Sequence, residues 1–146
     1  MPAEIARAPL HSVGGNQDTA STEEGLARAA ALLAEGAVVA FPTDTVYGVG
    51  VSADHAGRLG ALYQLKHRPP DRQIPMLVAG LDQVTATGGL VGPTTVRLAE
   101  RWWPGPLTLV VATRDGGSQA YRVPNHPAAI ALIATYANAP AAEAGW

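Results

Sequence analysis

Length, composition and charge limit the class of protein. The 146 residues suffice for one domain with a real core, and their 47% apolar content includes no run of the roughly 20 apolar residues that a membrane span needs. There is no cysteine for a disulfide or a thiolate, and a net charge of −2 gives no general attraction for nucleic acid. The N-terminus lacks the basic-then-apolar order of a secretory signal, so we expect a cytoplasmic protein.

The N-terminal part of the chain divides into a lead-in and a helix. Residues 1–20 mix Pro, Gly, Asn and Ser without a period, which predicts a flexible lead-in, and residues 21–146 are expected to form the domain. Ser21 and Glu24 have the spacing of a capping box, and apolar residues then recur at helical spacing. Gly36 is expected to close this helix.

A run of polar side chains follows the next predicted strand. Residues 37–41 are apolar and predict a buried strand. The polar run begins at the end of this strand, where residues 41–50 read FPTDTVYGVG. If the chain stays extended, Thr45 and Tyr47 lie on one face of it. The hydroxyls of Thr43, Thr45 and Tyr47 suit a small polar ligand, and the glycines let a ligand approach closely. An edge strand with a polar turn would explain the same run.

The rest of the chain predicts alternating elements. The patterns predict helices over residues 54–67, 93–103 and 127 to about 136, and strands over 76–79, 107–113 and 120–123. Because helices and strands alternate only in part, we expect an α/β (α+β) fold with a twisted mixed sheet and packed helices.

Three cationic side chains are placed where an anion would satisfy them. Lys66 and Arg68 lie at a predicted helix C-terminus, which the helix dipole favours, but two neighbouring cations also repel unless an anion such as phosphate lies between them. Arg122 lies in an apolar strand and needs a carboxylate or phosphate partner. An internal salt bridge would serve Arg122 as well as a bound carboxylate would. Asp44 is interpreted as a turn former.

Four ordered segments resemble a known family. They are PTDTVYG at 42–48, KHRP at 66–69 followed by QIPMLV at 73–78, WPGPLT at 103–108, and RVPNHP at 122–127. Together they resemble the YrdC/YciO family of threonylcarbamoyl-AMP synthases, over about residues 22–137. The resemblance implies a YrdC-like fold and a nucleotidyltransferase that joins L-threonine, bicarbonate and ATP into threonylcarbamoyl-AMP with release of pyrophosphate. That reaction is the first step toward a modified adenosine in tRNA.

The resemblance also implies roles for particular residues. The threonine subsite would comprise Thr43, Thr45, Tyr47 and Arg122. The nucleotide subsite, with Mg²⁺ accompanying ATP, would comprise Lys66, Arg68 and Ser118, of which Lys66 and Arg68 would also be catalytic. The chemistry needs placement and charge neutralisation more than a covalent nucleophile. No protein metal site is expected, since the histidines show no metal-ligand spacing.

The resemblance breaks down after residue 138. The family carries a Pro-Ser-x-Asn element there, whereas this sequence reads APAAEAGW over residues 139–146. We therefore expect a C-terminally incomplete sheet, ligand binding that outlasts catalysis, and a homodimer through the open sheet edge.

Two alternative functions remain open. One is an RNA-binding module that contacts double-stranded RNA or tRNA through the basic residues between Lys66 and Arg72, and the other is a carbamoyl-transfer domain. The acidic balance and an aromatic content of 5% disfavour RNA binding, because single strands are bound by cations interleaved with stacking rings.

Overall fold

The fold is built on two three-stranded sheets, as seen in a computed structural model that describes residues 10–12, 23–53, 56–67, 69 and 71–138. The described strands are β1 (Leu10–Ser12), β2 (Val38–Phe41), β3 (Gly48–Gly50), β4 (Met76–Leu77), β5 (Leu109–Ala112) and β6 (Ser118–Arg122). The described helices are α1 (Glu23–Ala34), α2 (Ala56–Leu65), α3 (Leu81–Ala86), α4 (Pro93–Trp102) and α5 (Pro127–Asn138).

The first sheet has the order β1-β2-β3 and mixes both strand directions. β1 runs parallel to β2 and β2 runs antiparallel to β3, with Phe41 opposite Gly48. β2 is buried along nearly its whole length, as its uninterrupted apolar sequence predicts. β1 falls inside residues 1–20, where no regular structure was predicted, so that expectation is corrected for residues 10–12.

The second sheet has the order β4-β6-β5, with β4 parallel and β5 antiparallel to β6. Along β5, Leu109 and Val111 are buried while Val110 and Ala112 are exposed. This alternation is typical of an antiparallel strand with one face on the core. Arg122, at the end of the central strand β6, lies opposite Leu77 of β4.

Each sheet has its own apolar core. Helices α1 and α5 pack together over β2, and this core contains Ala29, Val39 and Leu132. The second core, formed by β5, β6, α3 and α4, contains Val84 and Tyr121, which are fully buried. The predicted mixed α/β architecture is confirmed, but the strands form two small sheets rather than one.

Most predicted elements are present, with shorter bounds. α1 ends at Ala34, and Gly36, two residues further on, has a φ of 82°, the left-handed conformation expected of a closing glycine. The predicted helix over 93–103 appears as α4, and α3 was not predicted, because its six residues are too few for a clear period. Among the described helices, none is both long and apolar enough to cross a bilayer.

A buried glycine gives a direct test of the second core. A Cβ on Gly89 would lie 2.6 Å from Cγ1 and 2.9 Å from the carbonyl oxygen of the buried Val84. We expect Gly89→Ala to lower the free energy of unfolding by about 1–3 kcal/mol in a urea titration, since neither atom can move aside cheaply. Gly60→Ala is the matched control, because Gly60 is at an exposed position of α2 and nothing lies within 4 Å of a Cβ placed there. The control should leave stability unchanged or raise it by up to about 1 kcal/mol. Equal stabilities for the two variants would contradict the packing.

Candidate functional site

A cavity of about 460 Å³ is lined by residues of both sheets, of α2 and of α5. Five of the seven side chains for which a site role was predicted line it: Thr43, Thr45, Tyr47, Lys66 and Arg122. They come from three separate parts of the sequence, so the fold assembles them. Their binding of a ligand stays a prediction.

The loop between β2 and β3 carries a short chain of hydroxyl contacts. Thr43 Oγ1 donates a hydrogen bond to the carbonyl oxygen of Val46 and accepts one from the backbone N–H of Thr45 at 3.3 Å. Because the Thr43 proton is used, the 3.2 Å contact between the two hydroxyls is a donation from Thr45 to Thr43. Residues 44–46 therefore form a bend, and the expected extended alternation through Thr45 and Tyr47 is wrong.

The guanidinium of Arg122 is held from two sides. Nε donates to the carbonyl oxygen of Gly105 at 3.0 Å, and Nη2 donates to Asp44 Oδ1 in a salt bridge. Nη1 lies 3.5 Å from Thr45 Oγ1, a long contact. Since a guanidinium has five N–H donors, of which Gly105 and Asp44 take two, the remaining three face Thr45 or stay available to a ligand.

The internal salt bridge considered for Arg122 is thus present, and it leaves part of the guanidinium unused. Asp44 was interpreted only as a turn former, and its pairing with Arg122 was missed. The two residues are 78 positions apart, and no local pattern signals such a pairing.

Gly105 supplies the carbonyl oxygen that holds Arg122 Nε, and its own backbone is held in turn. Its N–H donates to the carbonyl oxygen of Val123 at 2.8 Å, which ties the loop after α4 to the end of β6. A Cβ at this position would lie 2.5 Å from the carbonyl oxygen of Trp102, so only glycine fits. The nearby Trp103 donates from Nε1 to the carbonyl oxygen of Leu107 at 2.7 Å. The segment from Trp103 to Thr108 is therefore held in a fixed conformation beside Arg122, which lines the cavity.

Lys66 reaches the cavity from the turn that ends α2. Its N–H donates to the carbonyl oxygen of Leu62 at 3.0 Å, and the next residue, His67, has a φ of 49° and turns the chain away. Leu62 is buried beneath this turn, as the predicted inner face of the helix requires. Arg68 lies outside the described residues, so its predicted role stays a prediction.

Ser118 lies at a different cavity. It is exposed at the start of β6 and lines a second cavity of about 330 Å³, together with Arg114 and Asp115. Its carbonyl oxygen accepts a hydrogen bond from Gln73 Nε2 at 2.9 Å. The neighbouring Thr113 hydroxyl, with the N–H of Gly117, lowers the pKa of Asp115 by donating hydrogen bonds to its carboxylate. The structure therefore does not bring Ser118 together with Lys66, and its nucleotide role stays a prediction.

The large cavity also contains a buried pair of polar side chains that was not predicted. Ser52 and Tyr136 are 3% and 1% exposed, and their hydroxyls are hydrogen-bonded to each other. Both line the cavity, on a stretch of wall that also includes Leu33 and Leu132. Sequence reasoning missed the pair because Ser52 follows β3 without a distinguishing pattern and Tyr136 lies on an apolar helix.

Comparison with known proteins gives one family and several relatives. The family model Sua5/YciO/YrdC, described as telomere recombination, matches residues 31–142. Threonylcarbamoyl-AMP synthase from Bacillus subtilis is 35% identical over 126 residues, which are 80% of this chain and 36% of the relative. The synthase from Pyrococcus abyssi is 36% identical over 114 residues, 72% of this chain and 34% of the relative. The synthase from Chromohalobacter salexigens is 35% identical over 127 residues, 79% of this chain and 67% of the relative.

Solved structures agree with these matches. Sua5 of P. abyssi complexed with L-threonine superposes with a TM-score of 0.75 at 30% identity, covering 88% of this chain and 39% of that one. Escherichia coli YciO superposes with a TM-score of 0.72 at 18% identity, covering 89% of this chain and 66% of that one, a likeness that supports the fold alone. The chain spans about a third of the length of the Bacillus and Pyrococcus relatives that it matches.

Proposed function

The chain belongs to the Sua5/YciO/YrdC family, and from that premise we propose that its large cavity binds L-threonine beside ATP and forms threonylcarbamoyl-AMP. In this reaction the threonine ammonium group loses a proton, and the free amine takes up the carbon of bicarbonate to form a carbamate with release of water. A carbamate oxygen then attacks the α-phosphate of ATP, and pyrophosphate leaves. Threonine, bicarbonate and ATP would have to lie together, which makes positioning and charge neutralisation the main tasks of the protein.

One observation carries the proposal: a guanidinium with unused donors lies in the same cavity as a lysine. Arg122 is held by Gly105 and Asp44, and its Nη1 lies beside Thr45. An arginine fixed in this way is preorganised to accept the carboxylate of an amino acid through parallel hydrogen bonds. L-threonine, the ligand of the solved P. abyssi complex, has such a carboxylate.

The hydroxyls on the loop between β2 and β3 complete the proposed threonine subsite. Thr45 lies between Arg122 and Thr43 in the chain of hydroxyl contacts, and Tyr47 lines the same cavity. Such side chains can orient a bound hydroxyl or ammonium group. The cavity volume of about 460 Å³ lies within the range of small-molecule sites, so it has room for more than threonine.

The triphosphate would bind at the Lys66 side of the cavity, with Arg68 as a second cation. A lysine that approaches phosphate as a point charge is a frequent partner of a triphosphate. Mg²⁺ would arrive with ATP, because phosphate oxygens supply much of its coordination. Among the described residues, no group of three His, Cys, Asp or Glu side chains is placed to hold a metal by itself.

A binding and product experiment tests the proposal. Calorimetry should give saturable, one-to-one binding of L-threonine, and incubation with ATP, bicarbonate and L-threonine should yield threonylcarbamoyl-AMP by mass spectrometry. Omission of L-threonine is the control for background ATP hydrolysis. An absence of threonine binding would overturn the proposal.

The finer expectations about partners and location stay predictions. A contact with tRNA would use the basic residues that follow α2, which are the exposed Lys66, His67 and Arg72 together with Arg68, which lies outside the described residues. In a homodimer through the edge of β5, the carbonyl oxygen of Ala112 would not be available, because it already accepts a hydrogen bond from the N–H of Leu90 at 2.8 Å. ATP, bicarbonate and L-threonine are all available in the cytoplasm, which is the compartment we propose.

A further inference from the structure

The Arg122 end of the cavity is close to electrically neutral. The Arg122 guanidinium and the Asp44 carboxylate form a salt bridge, and their side chains are only 15% and 14% exposed. Water therefore screens this pair less than it screens a fully exposed one. A ligand that reaches Arg122 meets a cation whose charge is largely cancelled by a carboxylate in contact with it.

Asp44 differs from Arg122 in how it relates to the cavity. Arg122 and Thr45 line the cavity wall, whereas Asp44 contacts Arg122 and does not belong to the lining. Among the described residues, the carboxylate has no other hydrogen-bond partner. Asp44 therefore acts on a ligand through Arg122 and through its own charge at a distance of a few ångströms.

This arrangement distinguishes ligands by their net charge. A zwitterionic amino acid can place its carboxylate on Arg122 and keep its ammonium group within the field of Asp44, so both charges are satisfied. A ligand with the same carboxylate but no ammonium brings an unbalanced negative charge close to Asp44. Phosphate brings more negative charge still and is repelled more strongly.

We propose that Asp44 is a positioning residue that determines which ligand enters: by holding Arg122 and cancelling its charge, it makes this part of the cavity select net-neutral α-amino acids over anions in the binding step, before the amine is carboxylated. The inference rests on the proposed threonine site and deepens it. It also explains how one cavity keeps two anionic groups apart, because the triphosphate is excluded from the Arg122 end and left to Lys66.

Two simpler roles for Asp44 predict different results. If Asp44 only anchors Arg122, its loss weakens every carboxylate ligand alike. If Asp44 only competes with the ligand for Arg122, its loss tightens every carboxylate ligand alike. Selection by charge predicts that the ratio of two affinities changes, which neither simpler role does.

The experiment compares L-threonine with its α-hydroxy acid analogue, in which a hydroxyl replaces the ammonium group. Affinities are measured by calorimetry on the wild type, on Asp44→Asn, and on Asp82→Asn as a matched control. Asn keeps the shape and one acceptor oxygen for Arg122 but removes the charge. Asp82 is exposed in the first turn of α3 and lines neither of the two cavities.

We expect the wild type and Asp82→Asn to bind L-threonine more tightly than the hydroxy acid. In Asp44→Asn the ratio of these two affinities should fall about tenfold, mainly because the hydroxy acid binds more tightly. Inorganic phosphate should compete with L-threonine more strongly in Asp44→Asn than in the wild type. An unchanged ratio in a folded Asp44→Asn variant would overturn the inference. So would a wild type that binds the hydroxy acid as tightly as L-threonine, a measurement that needs no variant. Failure of the wild type to bind L-threonine would instead overturn the proposed function.

Discussion

Arg122→Ala is expected to weaken L-threonine binding by roughly ten- to a hundredfold, because the proposed site loses its charged carboxylate donor. The lost contact is charge-assisted, and Thr45 and Tyr47 cannot replace it with neutral hydroxyls. The measurement is calorimetry of purified wild type and variant at equal ionic strength. Thermal or urea unfolding of both proteins shows whether the variant retains its fold, since the substitution also leaves Asp44 without its partner.

Two controls separate site chemistry from a general loss of positive charge. Arg122→Lys keeps the charge but loses the planar donor group, so it should recover only part of the affinity. Arg101→Ala removes an arginine that lies over the exposed Trp102 ring, at 5.3 Å from its centroid, away from the cavity lining. We expect it to bind L-threonine as the wild type does. Equal affinity in wild type and Arg122→Ala would show that Arg122 does not bind the substrate carboxylate.

The local pattern of apolar residues predicted those helices and strands that bury one face in the core. α4 follows from apolar residues at helical spacing between Pro93 and the next proline, and β5 follows from a run of apolar residues. The positive φ of Gly36 was predictable because few other residues end a helix in that conformation. In each case the cause lies within a few residues of the effect.

The predictions that failed depend on contacts between distant parts of the chain. β1 is a strand because it pairs with β2, and its own residues, Leu10–Ser12, carry no alternation that would reveal it. The bend at residues 44–46 exists because the Thr43 hydroxyl bonds to Val46 and because Arg122 pairs with Asp44. A propensity for extended structure was overridden by these tertiary contacts.

For the candidate site too, local features were predictable from the sequence and contacts between distant residues were not. The residue types of the site were predictable, since hydroxyls at 43, 45 and 47 and cations at 66 and 122 are unusual beside buried strands. Their convergence on one cavity was implied only by the family resemblance, and the structure brings five of them together. The support of Arg122 by Gly105 and Asp44 was not predictable, because a carbonyl oxygen and a turn carboxylate carry no sequence signature.

The charges beside Arg122 and beside Lys66 differ. Asp44 offsets the charge of Arg122, whereas Lys66, which lines the same cavity, belongs to a basic segment that includes His67 and Arg72. In the proposed reaction, the net-neutral amino acid would bind beside Arg122 and the polyanionic nucleotide beside Lys66.

Lys66→Met tests the proposed nucleotide subsite. Methionine keeps the apolar stem of the side chain but removes the ammonium group, so the wall of the cavity is preserved. We expect ATP affinity to fall by roughly ten- to a hundredfold, and threonylcarbamoyl-AMP formation to fall at least as far, because a charged partner of the phosphates is lost. L-threonine affinity should stay within about twofold of the wild type, since Arg122 is untouched.

The matched control for this change is Arg97→Met, which removes one positive charge from the exposed face of α4. Fluorescence titration of a labelled ATP analogue at low and high salt should show a shallower salt dependence for Lys66→Met than for Arg97→Met, because one ion pair with phosphate is missing. If both variants bind ATP as tightly as the wild type, Lys66 serves only to end helix α2 and the triphosphate binds elsewhere. If Lys66→Met weakens L-threonine and ATP equally, the two ends of the cavity are not separate subsites.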